Sequence, residues 1–250
     1  MILRLSRSAL IVVCFMLCAC CGTTVRPAVP DTKALVQRLG QARIVTASLL
    51  VRMQPAQGDS ELFTLRVWAA ADGSVRLRAQ KLDVDFLEAL VRPDGAYQAL
   101  LVRERIATSG TLGGADDPVV LRDLRLLLSE LRYGPLPPAV VVAGDATGWT
   151  WRDPLGWDAQ LTVGSDGLPT AKRLLEAGVE VRGLTYARWQ AFEELQRPSQ
   201  VTLRADGDTT TIRIKSLDTP PEISAERMAL RIPDGVEQVD PAEFNRRLLP

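Results

Sequence analysis

The chain has 250 residues, 46% of them hydrophobic, with 30 basic and 30 acidic side chains and no histidine. Balanced charge excludes the concentrated basic surface that nucleic-acid binding needs, and the missing histidine excludes Ser-His-Asp and Cys-His catalysis. All four cysteines lie at Cys14, Cys18, Cys20 and Cys21, a distribution that suits neither a disulfide framework nor a zinc site built from separated ligand pairs.

The N-terminal segment explains the cysteines differently. Arg4 and Arg7 precede an uninterrupted apolar run, ALIVVCFML, from Ala9 to Leu17. That run is far shorter than the roughly 20 residues that span a bilayer, and small residues follow it, as in a cleaved export signal. Leu17-Cys18-Ala19-Cys20 resembles the bacterial lipobox, in which the last cysteine is lipidated and becomes the new N-terminus. The resemblance implies a signal peptide at 1–19, acylation (diacylglyceryl and palmitate) of Cys20, and a lipidated tether at 20–31 containing TTVRPAVPD. Cys21 is the second choice, because it puts a cysteine where a small residue usually stands. By the same resemblance, the absence of Asp after Cys20 implies the periplasmic face of the outer membrane. Without Arg4 and Arg7 the chain carries 28 basic and 30 acidic residues.

Residues 32–250 read as a single domain. Asp31 can cap a first helix with Leu35, Val36 and Leu39 on one face and Gly40 as its stop. The period then falls to two. Strands are predicted at Ser48–Met53, at Glu61–Ala69 (Phe63, Leu65 and Val67 against Thr64, Arg66 and Trp68), and from Val75 (Val75, Leu77 and Ala79 against Arg76 and Arg78). DVDFLEA at 83–89 suits a strand or a short helix. Ala96–Thr108 supplies one long strand or a pair. Asp117 and Pro118 open a second helix to about residue 132, with Val120, Leu124, Leu127, Leu128 and Leu131 on one face and Gly134 at its end. Further strands follow at Gly148–Arg152, Trp157–Val163, Leu168–Leu175, Val179–Phe192, Gln200–Ala205 and Thr210–Leu217. A helical turn near Ser224 and a terminal helix capped by Asp240 complete a chain of about ten strands.

Catalytic constellations are missing. There is no GxSxG, P-loop or HExxH, and GTLGG at 110–114 reads as a loop. The acidic neighbours Asp83 and Asp85, Asp116 and Asp117, and Glu193 and Glu194 read as solvated or capping groups. No enzyme activity, metal or cofactor is expected. Trp149 and Trp151 share a strand face, where large aromatics serve as core or as the wall of a ligand cavity.

The order of parts, with RPDG at 92–95, SDGLP at 165–169, LTYARWQAF at 184–192, RPSQVTL at 197–203 and LRIPDGVEQV at 230–239, resembles the LolA/LolB-like superfamily of lipoprotein carriers. That resemblance implies an α+β, mainly antiparallel half-barrel covered by helices, whose concave side takes acyl chains. Its cavity candidates here are Phe63, Leu65, Val67, Leu77, Leu124, Leu127, Leu131, Trp149 and Trp151. The implied partners are the membrane, through the anchor, and an acyl-chain or lipoprotein cargo. The alternative is a structural or assembly lipoprotein with a filled core, acting through protein–protein contacts.

Overall fold

The computed structural model describes residues 32–112, 119–136, 143–145, 148–152 and 156–248. The predicted signal, Cys20, the tether, Asp31, the Asp117-Pro118 start and the side chain of Leu124 lie outside the described residues. Four helices are seen: α1 (Thr32–Leu39), α2 (Val119–Tyr133), α3 (Ala225–Met228) and α4 (Pro241–Leu248). Fourteen strands are described: β1 (Val45–Gln54), β2 (Glu61–Ala69), β3 (Val75–Lys81), β4 (Val84–Val91), β5 (Ala96–Leu101), β6 (Ile106–Thr111), β7 (Ala143–Asp145), β8 (Gly148–Arg152), β9 (Asp158–Val163), β10 (Pro169–Glu176), β11 (Val179–Phe192), β12 (Leu195–Ala205), β13 (Asp208–Asp218) and β14 (Glu237–Gln238).

The strands form one sheet in the order β14-β6-β5-β4-β3-β2-β1-β13-β12-β11-β10-β9-β8-β7. Its ladders are antiparallel except for β14 beside β6. The architecture is the expected one, an open, mainly antiparallel barrel with few helices. It holds more strands than the sequence pattern suggested, for local reasons. DVDFLEA falls in β4, paired through Leu87 and Ala79 to β3. The 96–108 stretch divides into β5 and β6 around Arg105, at φ +55°. Strand β12 begins at Leu195 rather than Gln200 and runs through Pro198, which sits opposite Trp189. Strands β7 and β14 are too short to show a period.

The apolar face is built in rows. Ala47, Val67, Leu77, Ala89, Ala99 and Thr108 face one another in succession across β1 to β6. The next row runs Leu49, Leu65, Ala79, Leu87, Leu101 and Ile106. Alternation along each strand puts Arg76 and Arg78 on the other face, paired with Glu88 at 2.5 and 3.1 Å. There the C-terminal segment crosses, Arg76 Nη1 donating to the Arg227 carbonyl at 3.0 Å. Ser224 caps α3 and Asp240 caps α4, Asp240 Oδ1 accepting from the Glu243 amide at 2.7 Å. Phe244 of α4 is buried in the first core.

Buried apolar side chains gather in two clusters. One belongs to β1–β6 and β13, the other to α1 and β8–β12. Helix α2 serves both. At 3.6 residues per turn, Leu121, Leu127, Leu128 and Leu131 fall within one arc and pack in the first cluster. Leu126 and Glu130 lie on the opposite side, where Leu126 joins the second cluster.

Candidate functional site

The structure brings most of the cavity candidates together. Leu65, Val67, Leu77, Leu127 and Leu131 share the first cluster, and Phe63 packs on it, edge-on to Phe86 at a centroid distance of 5.5 Å. Trp149 and Trp151 do not join them; they belong to the second cluster. Val67 and Leu77 have no exposed surface, so in this arrangement α2 and the sheet fill the space between them. Of the alanines that let the helix approach, Ala79 is placed inward by its alternation with Arg76 and Arg78, whereas Ala47, Ala69, Ala89 and Ala99 escape sequence reading because alanine marks neither face strongly.

The roof is held at its helix ends. Helices α1 and α2 both stop at glycines in the left-handed region, Gly40 at φ +67° and Gly134 at φ +75°. A Cβ at Gly40 would stand 2.7 Å from the Glu194 carbonyl oxygen. Such ends leave helix carbonyls without intrahelical partners. Arg197 of β12, 0% exposed, collects them. Its Nε donates to the Leu131 carbonyl at 2.9 Å, its Nη2 to those of Arg132 at 2.7 Å and Gly40 at 3.1 Å, and its Nη1 to those of Leu39 and Gln196. All five N–H groups of the guanidinium are thereby used, and the cation meets the negative ends of two helix dipoles. Burial lowers the Arg197 pKa to about 10, against the attraction of Glu130, so it remains protonated at neutral pH. Sequence reading missed Arg197 because Pro198 made its surroundings look like a loop.

Beside it lies a buried ion pair. Lys172 Nζ is 2.9 Å from Glu130 Oε1, with 3% and 4% of the two side chains exposed. The ammonium also sits 5.4 Å from the centroid of the Trp151 ring, within the range of a cation–π attraction. The Tyr186 hydroxyl ionises well above its ordinary range, because burial disfavours the phenolate and the neighbouring Glu130 carboxylate adds to that. Glu130 Oε2, the Tyr186 hydroxyl and Trp151 Nε1 are buried without a well-formed hydrogen bond among the described residues.

Two features mark opposite ends of the β1–β6 region. At one end, a half-open cleft of about 260 Å3 lies between α2 and the turns after β2 and β4, lined by Gly73, Val75, Val91, Arg92, Pro93, Leu128 and Arg132. At the other, the β3–β4 hairpin turns through Leu82 and Asp83, at φ +52° and +62°. Leu82 is 92% exposed, and the partly exposed Leu62 and Val84 stand on strands beside it.

The acidic neighbours form no assembled site. Asp85 accepts from Gln80 Nε2 at 2.8 Å and Glu193 from the Thr219 amide at 3.0 Å. Asp116 and Asp117 lie outside the described residues. Among the described residues, no group of three or more acidic, cysteine or histidine side chains could hold a metal ion.

No protein-family model matches this chain, and no curated protein matches it in sequence. Solved structures match it in three dimensions. A DUF1329 family protein from Desulfovibrio piger superposes with a TM-score of 0.58 at 12% identity, covering 81% of this chain and 96% of that one. A LolA superfamily protein from Nitrosomonas europaea gives 0.52 at 9% identity, covering 79% and 94%. An outer membrane lipoprotein-sorting protein domain from Vibrio parahaemolyticus gives 0.51 at 12% identity, covering 78% and 93%. The chain therefore has the fold of an open barrel wrapped on helices. It is the LolA-like fold, and the resemblance drawn from the sequence holds at that level.

Proposed function

We propose that this chain is a lipid-anchored carrier of the bacterial envelope. It takes the acyl chain of a lipid or lipoprotein between α2 and the apolar face of β1–β6, and it acts by binding rather than by catalysis. The observation that carries this reading is the construction of the roof. The side of α2 that meets β1–β6 presents Leu121, Leu127, Leu128 and Leu131, with a single polar contact at its end, Arg132 Nη2 donating to the Ala70 carbonyl, whereas its carbonyl end is gathered by the guanidinium of Arg197. Apolar contacts are non-directional, so an acyl chain can replace leucines against the sheet with little net loss. Each buried CH2 contributes about 0.8 kcal/mol, so a dozen give roughly 10 kcal/mol before association costs. The LolA-like neighbours, one of them a lipoprotein-sorting domain, support the same class. Cys20 supplies the anchor in this reading, and the 92% exposed Leu82 supplies an apolar tip that dips into lipid.

The cavity expected from the sequence has Phe63, Leu65, Val67, Leu77, Leu124, Leu127 and Leu131 as its walls. With Val67 and Leu77 fully covered, the reading now requires α2 to lift. The same covered interior favours a second reading, a scaffold lipoprotein that acts through protein contacts.

A fluorescent fatty acid titrated against the chain lacking residues 1–21 decides between them. Saturable binding at micromolar concentration is expected, with Leu65→Ala, which trims the acyl surface without burying a charge at this 5% exposed position, weakening it while the circular dichroism spectrum is kept. No binding of fatty acid, phospholipid or lipopeptide would leave the scaffold reading. Loss of palmitate labelling in Cys20→Ser tests the anchor; normal labelling would move it to Cys21 or remove it.

A further inference from the structure

We infer that the cleft under the end of α2 is a head-group site for a fatty acid carboxylate, the acyl tail running from it toward the β1–β6 face; this rests on the carrier reading above. The cleft is amphipathic in a particular way. Val75, Val91, Pro93 and Leu128 give it apolar walls, and two arginines, Arg92 and Arg132, stand in its lining. Val75, Val91 and Leu128 belong to the same cluster as Leu77, Leu127 and Leu131. A chain entering here therefore meets the proposed acyl surface without crossing polar ground.

Neither cation has an anion of its own among the described residues, and the nearby carboxylates are engaged elsewhere. Asp72, next to Gly73, accepts from the Ser74 amide at 2.8 Å and from Ser74 Oγ at 2.9 Å. Asp94, next to Pro93, accepts from the Ala96 amide at 2.9 Å. Arg132 gives Nη2 to the Ala70 carbonyl, which fixes the plane of its guanidinium. Its Nε is buried without a hydrogen-bond partner among the described residues. A buried donor left unmade is costly, and a carboxylate is the group that a planar guanidinium fork satisfies best. Arg92 is exposed and has no ion pair among the described residues, which leaves it free to close on the same anion from the solvent side. Unpaired cations at an apolar mouth favour an anionic amphiphile over a neutral one, whose uncharged head would leave both guanidiniums uncompensated.

The test uses the full chain in neutral nanodiscs, with two photoactivatable C16 probes that differ only in the head: a diazirine fatty acid and the corresponding alcohol. The acid should label cleft residues at least about tenfold more than the alcohol, the size of one charge-assisted contact. Arg92→Gln, which removes an exposed and unpaired side chain, should lower acid labelling to the alcohol's level and leave alcohol labelling unchanged. Arg132→Gln should do the same if it folds, and Arg92→Gln decides the matter if it does not. Equal labelling by acid and alcohol, or no effect of Arg92→Gln, would overturn the head-group site while leaving the acyl-chain reading in place. No labelling by either probe would overturn both.

Discussion

The β1–β6 region and the β8–β12 region share one sheet and one helix, yet their interiors follow opposite rules. The first is mostly dry: its strands contribute rows of small and branched apolar residues, broken by the buried hydroxyl of Thr108, and it buries no ion pair like that of Glu130 and Lys172 among the described residues. The second buries Trp149 and Trp151 beside Glu130, Lys172, Tyr186 and Arg197. Dry contacts are interchangeable, because one methylene replaces another. Charged contacts are directional, and each half left behind is costly. The same helix is thus held on one side mainly by apolar contacts, with the Arg132–Ala70 hydrogen bond at its end, and on the other side by buried charge. Such asymmetry suits a lid that opens toward β1–β6 about a fastening on β10–β12.

The largest expected effect comes from breaking the fixed side. Glu130→Ala leaves Lys172 buried without its partner and removes the charge that attracts Arg197. A loss of about 3–5 kcal/mol is expected in urea denaturation. Glu130→Leu combined with Lys172→Met should recover much of that loss, since an apolar pair of similar volume removes the desolvation cost. If the double variant proves as unstable as Glu130→Ala, the pair is not the fastening described here.

Next in size is a cavity in the dry side. Leu77 has no exposed surface and faces Val67 and Ala89. Leu77→Ala should cost about 2–5 kcal/mol. On the carrier reading a fatty acid fills the space and restores part of that stability, which appears as a rise in Tm with added ligand. The same ligand should raise the Tm of Glu130→Ala only as much as it raises that of the native chain, whereas Leu77→Ala should gain more. An equal rescue of both variants would erase the functional distinction between the regions.

The dry side was the more legible of the two. Alternation in Glu61–Ala69 and in the strand after Val75 placed Leu65, Val67 and Leu77 inward, and the stripe on α2 placed Leu127 and Leu131 against them. Periodicity reads a face whose members are uniformly apolar. It misreads a face that buries charge: Lys172 within TAKRLL looks solvated, and Glu130 falls on the polar side of α2. Their inward placement follows from β10 and α2 meeting across the sheet, a long-range pairing that no local period encodes. The tryptophans were recognised as large buried groups, but which cluster they join depends on that same pairing. Arg197 was hidden twice, by its charge and by Pro198.

A smaller effect separates the regions by pH. The raised pKa of Tyr186 means that the unfolded chain loses this proton first. Its contribution to stability is complete below about pH 10, the ordinary tyrosine value, and falls as pH rises from there toward the folded value. Arg197, lowered to about 10, tilts the opposite way, so the comparison must be a difference. The stability of Tyr186→Phe relative to the native chain should stay constant up to about pH 10 and then rise. A difference that stays flat to high pH would mean that Tyr186 is not held neutral beside Glu130.

The smallest effect reverses sign and concerns the hairpins. Among the described residues, three two-residue connections have both central residues at positive φ: Ala177-Gly178, Asp206-Gly207 and Leu82-Asp83. Type I′ turns of this kind favour Asn-Gly and Asp-Gly. The two in the β10–β13 region keep glycine at the second position, whereas the one in the β1–β6 region puts leucine at the first. A leucine there is strained by about 1 kcal/mol, and at 92% exposure it gains nothing from burial. Fold stability therefore does not account for it. Leu82→Asn should raise stability by about 1 kcal/mol, a shift measurable by urea denaturation, because asparagine tolerates the left-handed region. The same variant should lower binding of the anchor-free chain to neutral phosphatidylcholine vesicles in a flotation assay, since one apolar side chain is removed from the tip. Gain of stability without loss of vesicle binding would show that the strained leucine does not touch lipid, and would take from the dry region the membrane contact proposed for it.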